Sequence, residues 1–280
     1  MIYNRRLAYL GPVGTNTEQA CIKYDSAATL VPYPSVPDVA KAVELLDADA
    51  GVVPIENSVG GAVSITLDLL IHGAGLYICN EIVLPITHSL LVRSGTRIDE
   101  IKIVYSHPQA LEQCSDYLSE HLPEARLVAS MSTSSAVEEM LDSDGISGAI
   151  ATMRAGQLYG AEILDHGIED YPNNMTRFVV LSKSDHLHTG DDKTSICFSF
   201  EADAPGILYS VLGEFNTRNI NLTKIESRPT REALGTYVFL VDLEGHRDDV
   251  IIEEALQAVK NQVSLLKVFG SYPRYVLPTD

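Results

Sequence analysis

The chain has 280 residues, 45% of them hydrophobic and 21% charged, a globular balance that excludes disordered, collagenous and fibrous classes and leaves room for one large domain or two ordinary ones. Twenty Lys and Arg against 38 Asp and Glu give a net charge of −18, which repels nucleic acid and acidic membrane surfaces, so neither is expected as a partner. Ser26 to Pro37, 12 residues with three prolines, is as long as any uncharged stretch, well short of the ~18 to 20 apolar residues that a membrane helix needs.

Arg5 and Arg6 are followed only by Leu7 to Leu10 before Gly11-Pro12, too short for the apolar region of an export signal, so a cytoplasmic protein is expected. From Arg5 to Lys183 short apolar runs alternate with helical patterns. RLAYL precedes a helix over 15–24, ATLVPY one over 35–46, and AGVVPI one over 63–72; LYICNEIVL follows. IKIVYS then precedes a helix over 108–121, ARLVAS one over 133–141, SGAIA a short helix to Leu158, and RFVVLSK closes the series. Such a strand-helix rhythm predicts an open parallel α/β sheet. EIVLPITHSLLV is long and contains Pro85, which suits a strand crossing between two lobes.

Residues 186–193, HLHTGDDK, are polar and without period, and read as a linker. TSICFSFE, a helix over 205–219, LTKIESR, GTYVFLVDL, a helix over 249–261 and LLKVFGSY follow. That βαββαβ order is the split arrangement of ferredoxin-like domains. Charge divides as 11 basic and 24 acidic residues through Asp185, and 9 and 14 beyond it. Cys21, Cys79, Cys114 and Cys197 form no CxxC or Cys/His cluster, so neither disulfide nor metal site is expected.

Sites in open α/β sheets lie beyond the carboxyl ends of the strands. Gly11 to Thr15, GPVGT, suits an anion at a helix start or an ordinary turn. Glu56, Asn57 and Ser58, before Gly60-Gly61, could orient a polar ligand or form an Asx turn. Ser106 and His107 precede a helix with Pro108 in its first turn, and Gln109 and Gln113 share a face of it. Ser132, Thr133, Ser134 and Ser135 begin another, with Ser135 and Glu138 in capping-box spacing. Thr176 beside Arg177 joins a neutral donor to a cation able to hold a carboxylate.

Together GPVGT, VVPIENSVGG, YSHPQALEQC, STSSA and NMTRFVVL resemble the catalytic region of prephenate dehydratases over residues 6–184, and EADAPGIL with NLTKIESRP resembles an ACT domain. The resemblance implies a two-lobed, periplasmic-binding-protein-like catalytic domain over 1–185, with lobes 1–84 plus 170–185 and 85–169, and a regulatory domain over 194–280. No fused chorismate mutase is expected. It implies Thr176 as the principal catalytic hydroxyl, with Glu56, Asn57, Ser106 and Gln113 in the site. Arg177, Ser58, Thr15, Ser132, Thr133, Ser134 and Phe178 are implied as substrate-binding residues. The effector, L-phenylalanine, is implied at Asp203, Ala204, Gly206, Ile207, Leu208, Asn219, Asn221 and the ESRP element Glu226, Ser227, Arg228 and Pro229. Ile207 stands where the family usually has alanine. A homodimer or homotetramer and no cofactor are expected. An arogenate dehydratase and a non-enzymatic, two-lobed amino-acid-sensing protein stay open as alternatives.

Overall fold

The computed structural model describes residues 5–73, 75–201, 204–230 and 236–276. In chain order it forms β1 (Arg6–Leu10), α1 (Asn16–Tyr24), β2 (Thr29–Tyr33), α2 (Val36–Glu44), β3 (Ala50–Asn57), β4 (Gly61–Ala62), α3 (Ser64–His72) and β5 (Tyr77–Pro85). Next come β6 (Ser89–Val92), β7 (Ile103–Ser106), α4 (Pro108–Gln113), α5 (Ser115–His121), β8 (Arg126–Ala129), α6 (Thr133–Asp142), β9 (Ser147–Ala151), α7 (Met153–Tyr159), β10 (Glu162–His166) and β11 (Met175–Ser182). The tail adds β12 (Asp192–Ser199), α8 (Ile207–Thr217), β13 (Leu222–Pro229), β14 (Tyr237–Glu244), α9 (Val250–Lys260) and β15 (Leu265–Pro273).

Two sheets replace the single parallel sheet that the rhythm predicts. One runs β2-β1-β3-β11-β5, with β1 parallel to β2 and β3; the other runs β10-β6-β9-β7-β8 and is mixed. Pro85 ends β5 because it has no N–H for the ladder. The next residue turns instead to the returning chain, Ile86 N–H donating to Asn174 O at 2.8 Å, so the two crossings between lobes are tied together. Strand β10 is exposed along most of its length, and without apolar alternation it left no sequence signal. The helix expected over 108–121 is broken at Cys114 (φ −120°, ψ 23°) into α4 and α5.

Alternating side chains give the second sheet a core on each face. Leu90 and Ile150 meet Val104, Ala110 and Leu118 on one side, while Leu91 and Ala149 meet Ala136, Val137 and Met140 on the other. In α2 the buried Val36, Val39, Ala40 and Val43 make one apolar stripe, and Ser35 caps the start by accepting from Asp38 N–H.

Contact density divides the chain into two compact units, residues up to Thr66 with Ile82–Phe178, and Leu67–Glu81 with Val179 onward. Within the second unit the tail forms an antiparallel sheet in the order β13-β14-β12-β15. Ile196, Phe198 and Val241 of that sheet pack on Val211 and Phe215 of α8 and on Ile252 and Val259 of α9. Residues 192 and 193 of the expected linker belong to β12. Leu67–Glu81 joins this unit through specific contacts. Glu81 accepts from Lys193 Nζ at 2.8 Å, Lys267 Nζ donates to Ile71 O and Gly73 O, and a Cβ on Gly270 would sit 2.1 Å from Ile78 O. Among the described residues no helix is long and apolar enough to cross a membrane.

Candidate active site

The loops after β1, β3, β7 and β8 converge within the first unit on a cavity of about 1030 Å³, as expected at the carboxyl ends of strands. Thr15, Asn57, Gln113, Ser132, Thr133, Thr176 and Phe178 line it. A chain of hydrogen bonds joins residues of its wall. Asn57 Oδ1 accepts from Val59 N–H (3.0 Å) and Gly60 N–H (2.7 Å), which turns Nδ2 toward Thr176 Oγ1 (2.8 Å) and Asn174 Oδ1 (2.7 Å). Asn174 Nδ2 in turn donates to Gln113 Oε1 at 3.1 Å, and His88 Nε2 lies 3.1 Å from that same oxygen. Because Thr176 Oγ1 accepts from Asn57, its own hydrogen is left to point at a ligand; among the described residues no acceptor takes it.

His88 is 3% exposed and lines the cavity. Burial lowers its pKa below the ordinary histidine value, against the opposing hydrogen bond to Gln113, so the ring is neutral at neutral pH. Gln113 Oε1 can only accept, which places the ring hydrogen on Nε2. Neither His88 nor Asn174 stood out in the sequence. Asn174, one residue before β11, stands two residues from Thr176, the one local signal that could have found it, whereas His88 reaches Gln113 only through tertiary folding.

Several expected site residues lie away from the cavity lining. Strand alternation accounts for two of them: Thr176 and Phe178 face the cavity, so Arg177 between them faces the other way, as does Glu56 before Asn57, and the two pair at 3.8 Å. Ser106 is fully buried and donates to Ile150 O at 2.6 Å rather than capping α4, a role His107 takes. Ser58 links its loop to β11 by accepting from Met175 N–H at 2.9 Å. Ser134 donates to Val13 O at 2.5 Å, and Thr152 to Gly14 O at 2.8 Å, so both hold the GPVGT loop across the lobes. The box at the start of α6 pairs Ser132 with Ser135, not Ser135 with Glu138.

The prephenate dehydratase family model matches residues 7–186, well over half of the chain. The chain belongs to this family. A prephenate dehydratase of Methanocaldococcus jannaschii is 39% identical, over 96% of this chain and 98% of its own length. The crystal structure of prephenate dehydratase in complex with L-Phe from Arthrobacter aurescens matches with a TM-score of 0.88 and 36% identity, covering 96% of this chain and 90% of that one. The solved structure of GqqA, named a quorum-quenching acylase, matches with a TM-score of 0.86 and 27% identity over 97% and 98% of the two chains.

An ACT-domain model matches residues 201–261. There a cavity of about 390 Å³ is lined by Ala204, Gly206, Ile207 and Leu208 with Phe200 and Phe239. Asn219 and Asn221 line a separate cavity with Arg218 and Glu244. The two groups bracket the 11-residue helix α8, about 16 Å long at 1.5 Å per residue, so one chain does not bring them onto one amino acid. Asn219 has a structural reason for its identity: at φ 55° it ends α8 in the left-handed region that Asn tolerates. In β13 Glu226 and Arg228 lie on one face, Arg228 reaching Asp68 at 3.6 Å, while Ser227 and Pro229 are exposed on the other. Asp203 lies outside the described residues. No group of three His, Cys, Asp or Glu that could hold a metal occurs among the described residues.

Proposed function

We infer that the chain converts prephenate to phenylpyruvate, carbon dioxide and water, under feedback control by L-phenylalanine, and that Thr176 assists the departing hydroxyl. The observation that carries the residue assignment is the direction of the Asn57 to Thr176 hydrogen bond, which leaves the Thr176 hydrogen for a ligand. As the bond to the ring carboxylate breaks, its electron pair enters the ring and the C4–O bond breaks. The leaving hydroxide takes up one proton, supplied by solvent, to leave as water, so atoms and electrons balance without a redox cofactor. A threonine is too weak an acid to be the final proton source; it supplies an oriented hydrogen bond where charge develops. Among the described residues no Arg or Lys lines the cavity. The starts of α1 and α6, at Asn16 and Thr17 and at Thr133 and, beside it, Ser134, offer N–H groups that the caps leave free, and positive dipole ends, to the two carboxylates. Phe178, Ile86 and Val63 give an apolar wall suited to the carboxylate that leaves as neutral CO2.

Acyl transfer of the kind named for GqqA requires a base to activate a nucleophilic hydroxyl. Thr176 has an amide as its side-chain partner, an arrangement that favours donation over nucleophilic attack. A phenylalanine bound at both tail cavities needs two copies of the chain, so the enzyme works as a homodimer or homotetramer, in the cytoplasm. Assay of prephenate and arogenate side by side tests this reading. Phenylpyruvate from prephenate is expected, with Thr176→Ala lowering kcat ~10²- to 10³-fold, and phenylalanine lowering initial rates of the native chain. Turnover of arogenate alone would reassign the substrate, and turnover of neither would leave a binding protein.

A further inference from the structure

Among the described residues one buried side-chain polar atom has no hydrogen-bond partner, His88 Nδ1. Buried acceptors are ordinarily paired, and an orphan at a site calls for an explanation. The tautomer is fixed from the other side of the ring: Gln113 Oε1 accepts from both Asn174 Nδ2 and His88 Nε2, so Nδ1 carries a lone pair. His88 lines the same cavity as Thr176. Thr176 is therefore a donor without an acceptor, and buried His88 Nδ1, on a residue that lines the same cavity, an acceptor without a donor, at the two ends of one chain of hydrogen bonds through Asn57, Asn174 and Gln113.

Of the groups on prephenate, the two carboxylates and the keto oxygen only accept. The 4-hydroxyl alone can donate, and it alone both donates and accepts. We propose that His88 Nδ1 receives the hydrogen of the substrate's 4-hydroxyl while Thr176 donates to its oxygen, so that His88 is a substrate-contacting residue that selects and orients the leaving group. This rests on the prephenate reading above. His88 transfers no proton in this arrangement; it fixes the direction of the O–H bond, so that the oxygen's lone pair faces the Thr176 donor as the C4–O bond breaks. Substitution of the hydroxyl by hydrogen leaves the buried Nδ1 unpaired, which is the kind of mismatch that polar sites reject.

The test uses two ring-saturated analogues that cannot aromatise, one with the 4-hydroxyl and one without it, titrated calorimetrically into native protein and into His88→Phe. The native protein is expected to bind the hydroxylated analogue roughly tenfold more tightly, and the variant to bind both within about twofold. An unchanged preference in a folded His88→Phe, or no preference in the native protein, overturns the assignment. Should the variant fail to fold, nitrogen NMR of histidine-labelled native protein decides. One unprotonated Nδ1 resonance is expected to shift toward the hydrogen-bonded position with the hydroxylated analogue and not with the deoxy analogue; the absence of that shift overturns the proposal. Prephenate turnover in the same native preparation tests the substrate reading separately.

Discussion

Asn57→Asp keeps the shape of the side chain and reverses its hydrogen bonding toward Thr176. The oxygen that accepts from Val59 and Gly60 N–H is retained, but the group 2.8 Å from Thr176 Oγ1 and 2.7 Å from Asn174 Oδ1 changes from donor to acceptor. Thr176 must then donate to the new carboxylate and is lost to the substrate. Asn174 must turn its amide, which sets its oxygen against Gln113 Oε1, and Gln113 must turn in consequence. Reversal of the whole chain places a hydrogen on His88 Nδ1 as well. A hydrogen bond to a charged acceptor is worth ~1.5 to 3 kcal/mol, and breaking it to free the Thr176 hydroxyl lowers kcat by roughly 10- to 150-fold. Asn57→Ala removes the constraint without imposing the wrong one, and water can satisfy the exposed Val59 and Gly60 N–H groups. Steady-state kinetics on prephenate are therefore expected to rank kcat as native, then the alanine variant, then the aspartate variant, although aspartate is the closer match in shape. An aspartate variant with native melting behaviour and near-native kcat would refute the donor assignment for Thr176.

Glu81→Ala is expected to destabilise the second unit by about 3 kcal/mol, because it strands Lys193, only 13% exposed, and removes the acceptor of Tyr275 N–H. The thermal midpoint should fall by roughly 6–12 °C, with a smaller loss for Glu81→Gln; a midpoint within about 1 °C of native would contradict the assigned burial cost. Burial holds the His88 pKa below its unfolded value of 6.5, so below pH ~6.5 the unfolded chain takes up a proton that the native one refuses. Stability therefore falls with falling pH until the native pKa is reached, by up to ~1.4 kcal/mol per unit. Chemical denaturation at about pH 5.5 and 7.5 should show this extra acid loss in the native protein and not in His88→Phe, and equal losses would count against it.

Most of the architecture was legible because it rests on local signals. Pro85 marked the crossing between lobes, and the loops GPVGT, ENSVGG, SHPQ and SMSTSS each follow a strand, so the fold itself gathers them at one cleft. Strand parity separates residues that are adjacent in sequence. Thr176 with Arg177, and Glu56 with Asn57 and Ser58, read as groups of neighbouring functional residues; a strand sends neighbours to opposite faces, and the two charged members, Arg177 and Glu56, meet each other. The expected boundary at residue 185 followed polarity and charge, whereas Leu67–Glu81 groups with the tail through Glu81, Ile78 and Gly73, contacts between residues about 110 to 200 positions apart.

Asn57 shows most clearly how the two levels of reading meet. Read as sequence, ENSVGG offers either a turn or a site. In the folded chain the turn is the device that makes the site: Val59 and Gly60 N–H groups hold Oδ1, and only that hold decides that Nδ2, and not Oδ1, faces Thr176. A Cβ on Gly60 would lie 2.3 Å from Nε2 of the exposed Gln109, which can swing aside, and 3.3 Å from Asn57 Oδ1, a tight contact with the oxygen that the turn holds. The direction of every hydrogen bond from Thr176 to His88 thus follows from two backbone N–H groups in a turn, which fixes a donor at one end of the chain and an acceptor at the other before any ligand arrives.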